Sequence, residues 1–134
     1  MIEVNNLTDV AIDKDFIKRI VRKVLKGERK KISEFSVAFI NEQKMKVLNR
    51  KYRKKNQATD VLAFQYDNLK EIVICPNVVK KNAERFGLNF KTELARIFIH
   101  GILHLLGYDH EKSKKEAIRM EKKQEYYLAN FLNS

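Results

Sequence analysis

The sequence predicts a single α+β domain over residues 1–134: a small mixed sheet of about four strands, with helices packed on it and a histidine-bearing helix in the core. Three observations predict this class. Stretches with alternating apolar residues are short and interspersed with stretches at helical period, which suits one sheet covered by helices. The chain has 134 residues, enough to bury about two-thirds of its unfolded surface in one core. It holds no repeat, no low-complexity tract and no Ser/Pro/Gly linker at which to divide it.

In chain order, "MIEVNNL" opens as a strand. In "DKDFIKRIVRKVLKGE", Phe16, Ile17, Ile20, Val21, Val24 and Leu25 recur at helical period, with Asp13 or Asp15 as N-cap and Gly27 past the end. "EFSVAFI" alternates and is rich in β-branched and aromatic residues, hence a strand. "NEQKMKVLNRKYR" starts on a capping Asn41 and spaces Met45, Leu48 and Tyr52 as a short helix, with Tyr52 assigned to the core. "TDVLAFQY" and "EIVICP" read as two strands, the second ended by Pro76. "NVVKKNAERFG" is a short helix closed by Gly87. "KTELARIFIHGILHLLG" is the most apolar helix, stopped by Gly107 at C′, where positive φ carries little strain. "SKKEAIRMEKKQEYYLANFL" follows, with Ser113 and Glu116 in a capping-box pattern.

Composition narrows the partners. The net charge of +11 favours an anionic partner, RNA or DNA before lipid, although a lysine-rich composition alone produces part of it. No apolar run approaches the roughly 20 residues that span a bilayer, and "MIEVNNLTDV" lacks the layout of a signal peptide. One cysteine, Cys75, excludes an internal disulfide and suits a reducing compartment. The expectation is a cytoplasmic protein that engages no membrane.

All three histidines lie in "HGILHLLGYDH". His100 and His104 are four apart, so a helix presents both on one face. Gly107 then turns the chain and can bring His110 to the same ion, a zincin-like local site. Three imidazoles favour zinc and leave a position open for chemistry. The bland alternative, histidines satisfied by hydrogen bonds on a helix face, explains a lone histidine better than three within eleven residues. The spacing coincides with the H-E-x-x-H-x-x-G-x-x-H pattern of zinc peptidases, except that Gly101 replaces the glutamate base. Glycine takes no proton from water, which disfavours peptide hydrolysis.

"HGILHLLGYDH" resembles the H-G-x-L-H-L-x-G-Y-D-H motif of the bacterial YbeY family at every fixed position. "LNRKYRKKNQATDVLAF" is similar to that family's L-N-x-x-Y-R-x-K-x-x-x-T-D-V-L-S-F, and "EIVIC" to its G-D-I-x-I strand. The likeness runs from about residue 37 to 110, and "MIEVNNLT" is typical of the family's start. Ala63, Gln65 and Lys70-Glu71 depart from the family's Ser, Pro and Gly-Asp. The resemblance implies a single-strand-specific, metal-dependent endoribonuclease of ribosomal RNA maturation and ribosome quality control. It further implies small-subunit ribosomal RNA as substrate, with ribosomal proteins and an assembly GTPase as partners.

In "NRKYRKKN", Arg50, Lys51, Lys54 and Lys55 read either as a solvated helix end or as phosphate contacts, and Tyr52 between them is read as core in preference to a base-stacking platform. The resemblance gives Arg53 a role in RNA cleavage, for which a guanidinium suits phosphate. Asp60 and Asp109 read as turn residues or as groups that orient Arg53 or a ligand histidine, and Asp109 is also the carboxylate nearest in sequence that could replace the missing base. The expected mechanism has one divalent ion, zinc, on His100, His104 and His110, Arg53 on the phosphate, and either a metal-activated water or the RNA 2′-hydroxyl as nucleophile. Two other readings are a metal-dependent hydrolase of a peptide or small molecule, and a non-catalytic, zinc-stabilised RNA-binding assembly factor.

Overall fold

The computed structural model describes residues 1–32 and 34–132; Ser33, Asn133 and Ser134 of the expected domain lie outside them. The elements run β1 (Ile2–Asn6), α1 (Lys14–Gly27), β2 (Glu34–Phe39), α2 (Glu42–Arg53), β3 (Val61–Tyr66), β4 (Leu69–Ile74), α3 (Pro76–Phe86), α4 (Phe90–Leu105) and α5 (Lys114–Leu132). Each expected element forms, and four of the five helices begin where a side chain caps them. Asp13, Asn41 and Asn89 accept backbone N–H groups of Phe16, Lys44 and Thr92 at 3.1, 2.9 and 2.8 Å. Pro76 does more than end β4. It is the first residue of α3, where its fixed φ suits a helix and its missing N–H is not needed.

The sheet order is β1-β2-β4-β3. β1, β2 and β4 are parallel, joined by crossovers through helices, whereas β3 folds antiparallel onto β4 across Asp67–Asn68. β3 is therefore an edge strand. Alternation along the strands then divides the core. Phe35, Val37 and Phe39 of β2 and Ile72 and Ile74 of β4 join the side chains of α1, α4 and α5 in the larger cluster. Leu62 and Val73 point the other way, to Met45 of α2 and Cys75. α4 is covered by α1, α3, α5 and the sheet, which explains its nearly all-round apolar sequence: Ile97, Phe98, Ile99, Ile102 and Leu103 are all buried.

Three expectations need correction. Gly27 is the last residue of α1 rather than a residue beyond it, and Glu28 is the C-cap. Its glycine is required by packing, because an added Cβ would stand 2.7 Å from Cε1 of the buried Tyr127 ring. Tyr52 is not in the core: it is 51% exposed. The buried stripe of α2, Met45 and Asn49, ends one turn earlier. The capping box is also only half made. Ser113 Oγ accepts the Glu116 N–H at 3.1 Å, but the Glu116 carboxylate turns to Arg119 at 3.3 Å.

Candidate active site

α4 carries His100 and His104 in its last two turns, and its C-terminus determines where the third histidine goes. Gly107 adopts φ +107°, its N–H reaches the His104 carbonyl at 3.1 Å, and the Tyr108 N–H reaches the Leu103 carbonyl at 3.1 Å. This pair of bonds is a Schellman closure, which reverses the chain. His110 is thereby returned towards α4, its ring centroid 5.2 Å from that of His100. Between the two helical histidines, Gly101 faces the sheet. A Cβ there would lie 3.4 Å from both Val61 Cγ2 and Ile72 Cδ1, in contact with apolar neighbours.

Both helical histidines have one ring nitrogen occupied. His100 Nδ1–H donates to Gln124 Oε1 at 2.9 Å, and His104 Nδ1–H to the Tyr108 carbonyl at 3.2 Å. Since those acceptors are oxygens, the neutral rings keep Nε2 as the lone-pair nitrogen that a metal requires. Burial pulls the His100 pKa below its ordinary value; the Gln124 bond opposes this, and His110, His104 and Arg96 add to it. A neutral, pre-oriented ring is the ligating form. The donor chemistry therefore fits a divalent cation. Among the described residues, no three His, Cys, Asp or Glu side chains stand close enough together to hold an ion as placed.

All three histidines share one cavity of about 680 Å³ with Arg53. β3 supplies one wall through Val61, Ala63 and Phe64, and Tyr52 stands at the α2 side. Arg53 is the final residue of α2, which ends because Lys54 takes a left-handed φ of 57°. Buried Asn49 fastens the loop that follows, its Nδ2 donating to the Gln57 carbonyl at 2.8 Å. Arg50, Lys51, Lys54 and Lys55 are exposed around this corner, outside the cavity lining. Asp60 lines the cavity, accepts from Thr59 at 3.3 Å, and its charge acts on Arg96. Asp109 is a turn residue, its Oδ1 accepting the Glu111 N–H at 3.0 Å. The carboxylate nearest the histidines here is instead Glu111, 3.9 Å from His110 Nε2 and part of the lining.

Sequence reasoning missed several further groups. Arg96 lines the cavity and is gripped by fully buried Glu93 through bonds of 2.7 and 2.8 Å. The pair sits one and two turns before His100 on α4, a spacing visible in the sequence. A buried carboxylate is stable only when matched this way, and the match fixes the guanidinium at the cavity wall. Gln124 comes from α5, and no local pattern announces it. Glu28 likewise reaches across the fold: its carboxylate accepts from Tyr108 Oη at 2.6 Å and from Tyr127 Oη, and pairs with Lys123 Nζ at 3.3 Å. Burial raises the Glu28 pKa, but these three partners outweigh it, and the net shift is downward. Tyr108 is pushed up to about 12, by burial first and then by the Glu28 bond.

The chain is similar to known proteins in both sequence and fold. The family model described as Endoribonuclease YbeY matches residues 3–132. The chain is 44% identical over 132 residues to the Endoribonuclease YbeY of Thermodesulfovibrio yellowstonii, spanning 85% of this chain and 83% of that one. It is 42% identical over 120 residues to that of Persephonella marina, spanning 83% and 78%. A solution structure of a Thermotoga maritima protein superposes with a TM-score of 0.70 at 34% identity, covering 96% of this chain and 87% of that one.

Proposed function

The chain belongs to the endoribonuclease YbeY family, and on that premise we propose that it cuts single-stranded RNA internally, using Arg53 and a divalent cation on His100, His104 and His110. The observation that carries the reading is the cavity itself, to which α2 brings Arg53 and α4 with its turn brings every histidine of the chain. Ribosomal RNA of the small subunit is the proposed substrate, in its maturation and in ribosome quality control. The proposed partners are ribosomal proteins and an assembly GTPase, and the proposed compartment is the cytoplasm. No helix among the described residues is long and apolar enough to cross a membrane.

The chain's own groups divide the work. Gln124 and the Tyr108 carbonyl hold the His100 and His104 rings in the tautomer that offers Nε2. Arg53 presents donors to the phosphate and neutralises charge that develops on it during displacement. A divalent cation, zinc by its preference for imidazole, supplies Lewis acidity toward the phosphoryl group when bound. Gly101 leaves no carboxylate in the position where a peptidase holds its base, and its nearest neighbours across the helix face are the apolar side chains of Val61 and Ile72. The lysines around Arg53 add sequence-independent attraction.

Two substitutions test this. Arg53→Ala is expected to lower cleavage of a labelled single-stranded RNA about 10²–10³-fold while metal content is unchanged. His104→Ala is expected to lose both metal, by elemental analysis, and cleavage. Full metal content and full cleavage in His104→Ala would refute the site. The product ends identify the nucleophile, a 2′,3′-cyclic phosphate marking attack by the RNA 2′-hydroxyl.

A further inference from the structure

Phe64 and Tyr66 occupy alternate positions of β3 and so project from the same face of the edge strand. Their ring planes lie 17° apart with centroids separated by 6.4 Å, and Tyr52 of α2 meets Phe64 edge-on at 5.0 Å. Large aromatic side chains ordinarily go inward, yet Tyr66 is 49% exposed and Tyr52 likewise stands in solvent. Phe64 packs on the smaller core cluster and anchors the other two. Tyr52 and Phe64 also line the cavity that holds Arg53 and the histidines. The row therefore starts in the site and leads out of it along β3 to Tyr66.

We propose that Tyr52, Phe64 and Tyr66 form a stacking track for the unpaired bases of single-stranded RNA, leading the strand to the cleavage cavity. This rests on the RNA-cleaving reading above and adds how the strand is chosen. Charge points to nucleic acid as the occupant. Lys51 Nζ lies 5.3 Å from the Tyr52 ring centroid, Arg50, Lys54 and Lys55 are exposed beside it, and the whole chain carries +11. Glu71, paired with Phe64 in register across the hairpin, is the one acidic residue of that β3–β4 ladder. Bases stack on aromatic rings whatever their sequence, and phosphates follow the flanking cations. A duplex keeps its base faces stacked against each other and has none to offer the row.

The chain contains no tryptophan, so Tyr66→Trp places a single indole at the outer end of the row. Chelator-treated Tyr66→Trp protein is titrated with single-stranded oligoadenylate, with a duplex RNA of equal length, and with inorganic polyphosphate. The expected result is quenching of the indole by oligoadenylate alone. Tyr66→Ala, at an exposed position, is expected to raise the oligoadenylate Kd about tenfold. Equal quenching by polyphosphate or duplex, or an unchanged Kd in Tyr66→Ala, overturns the track. So does an emission change that depends on protein concentration without RNA, which assigns the row to a second copy of the chain. If the unsubstituted protein still cleaves single-stranded RNA in those cases, the nuclease reading stands and only the track falls. If it neither binds nor cleaves, both fall.

Discussion

Glu28 accepts the hydroxyl hydrogens of Tyr108 and Tyr127 and pairs with Lys123, so one carboxylate fastens the end of α1 to the histidine turn and to α5. Only the ionised form can accept both hydroxyls and attract the lysine. Its pKa is lowered in the fold from an ordinary 4.5. That stability is fully present above the unfolded value and is lost as pH falls through the folded one. Thermal melts of Glu28→Gln are expected to be flatter with pH than those of the unsubstituted protein in the acid range below about 4.5. Glu28→Ala leaves two buried hydroxyls and is expected to cost about 3 kcal/mol in denaturant unfolding. None of this was legible in the sequence, where Glu28 is one acid in a basic stretch and its partners lie far along the chain. The histidines were legible because their spacing is local to one helix and one turn.

At the scale of elements, helix ends were read well because caps act within three or four residues. Asp13, Asn41 and Gly107 each perform the role their residue type suggests. The order of the strands depends on pairings between distant segments, and no short-range pattern encodes it. Tyr52 shows the same limit: helical period gave it to the core, but α2 outruns the surface it packs on. Gly27 and Gly101 differ in what surrounds them, and their substitutions should differ accordingly. Gly101→Ala places its methyl at ordinary packing distance from Val61 and Ile72 and gains helix propensity, so its stability is expected to stay within about 1 kcal/mol. Gly27→Ala drives a methyl into the Tyr127 ring, which Glu28 holds in place, and is expected to lose about 1–3 kcal/mol. Chemical denaturation of the two variants side by side checks both.

The whole molecule sets its charge against its substrate. With +11 overall and its exposed cations around Arg53, binding to single-stranded RNA is expected to weaken linearly on a log–log plot against salt. Replacing Lys54 and Lys55 by Gln should reduce that slope by about 0.7 for each phosphate that is no longer neutralised, as fluorescence anisotropy across a salt series can read. The fold class was legible because one sheet with interspersed helices is what such short segments can build. The site was legible only in part, since its walls come from α2, β3, α4 and the turn after α4, and the longest motif covers only the last two. This has a consequence for synthesis. A chain grows from its N-terminus, so every histidine is made before α5, which brings Gln124 to His100 and Tyr127 and Lys123 to Glu28. An unfinished copy holds the histidines without the braces that orient them. A protein that cuts RNA thus acquires its supported site only after α5 has cleared the RNA machine that makes it.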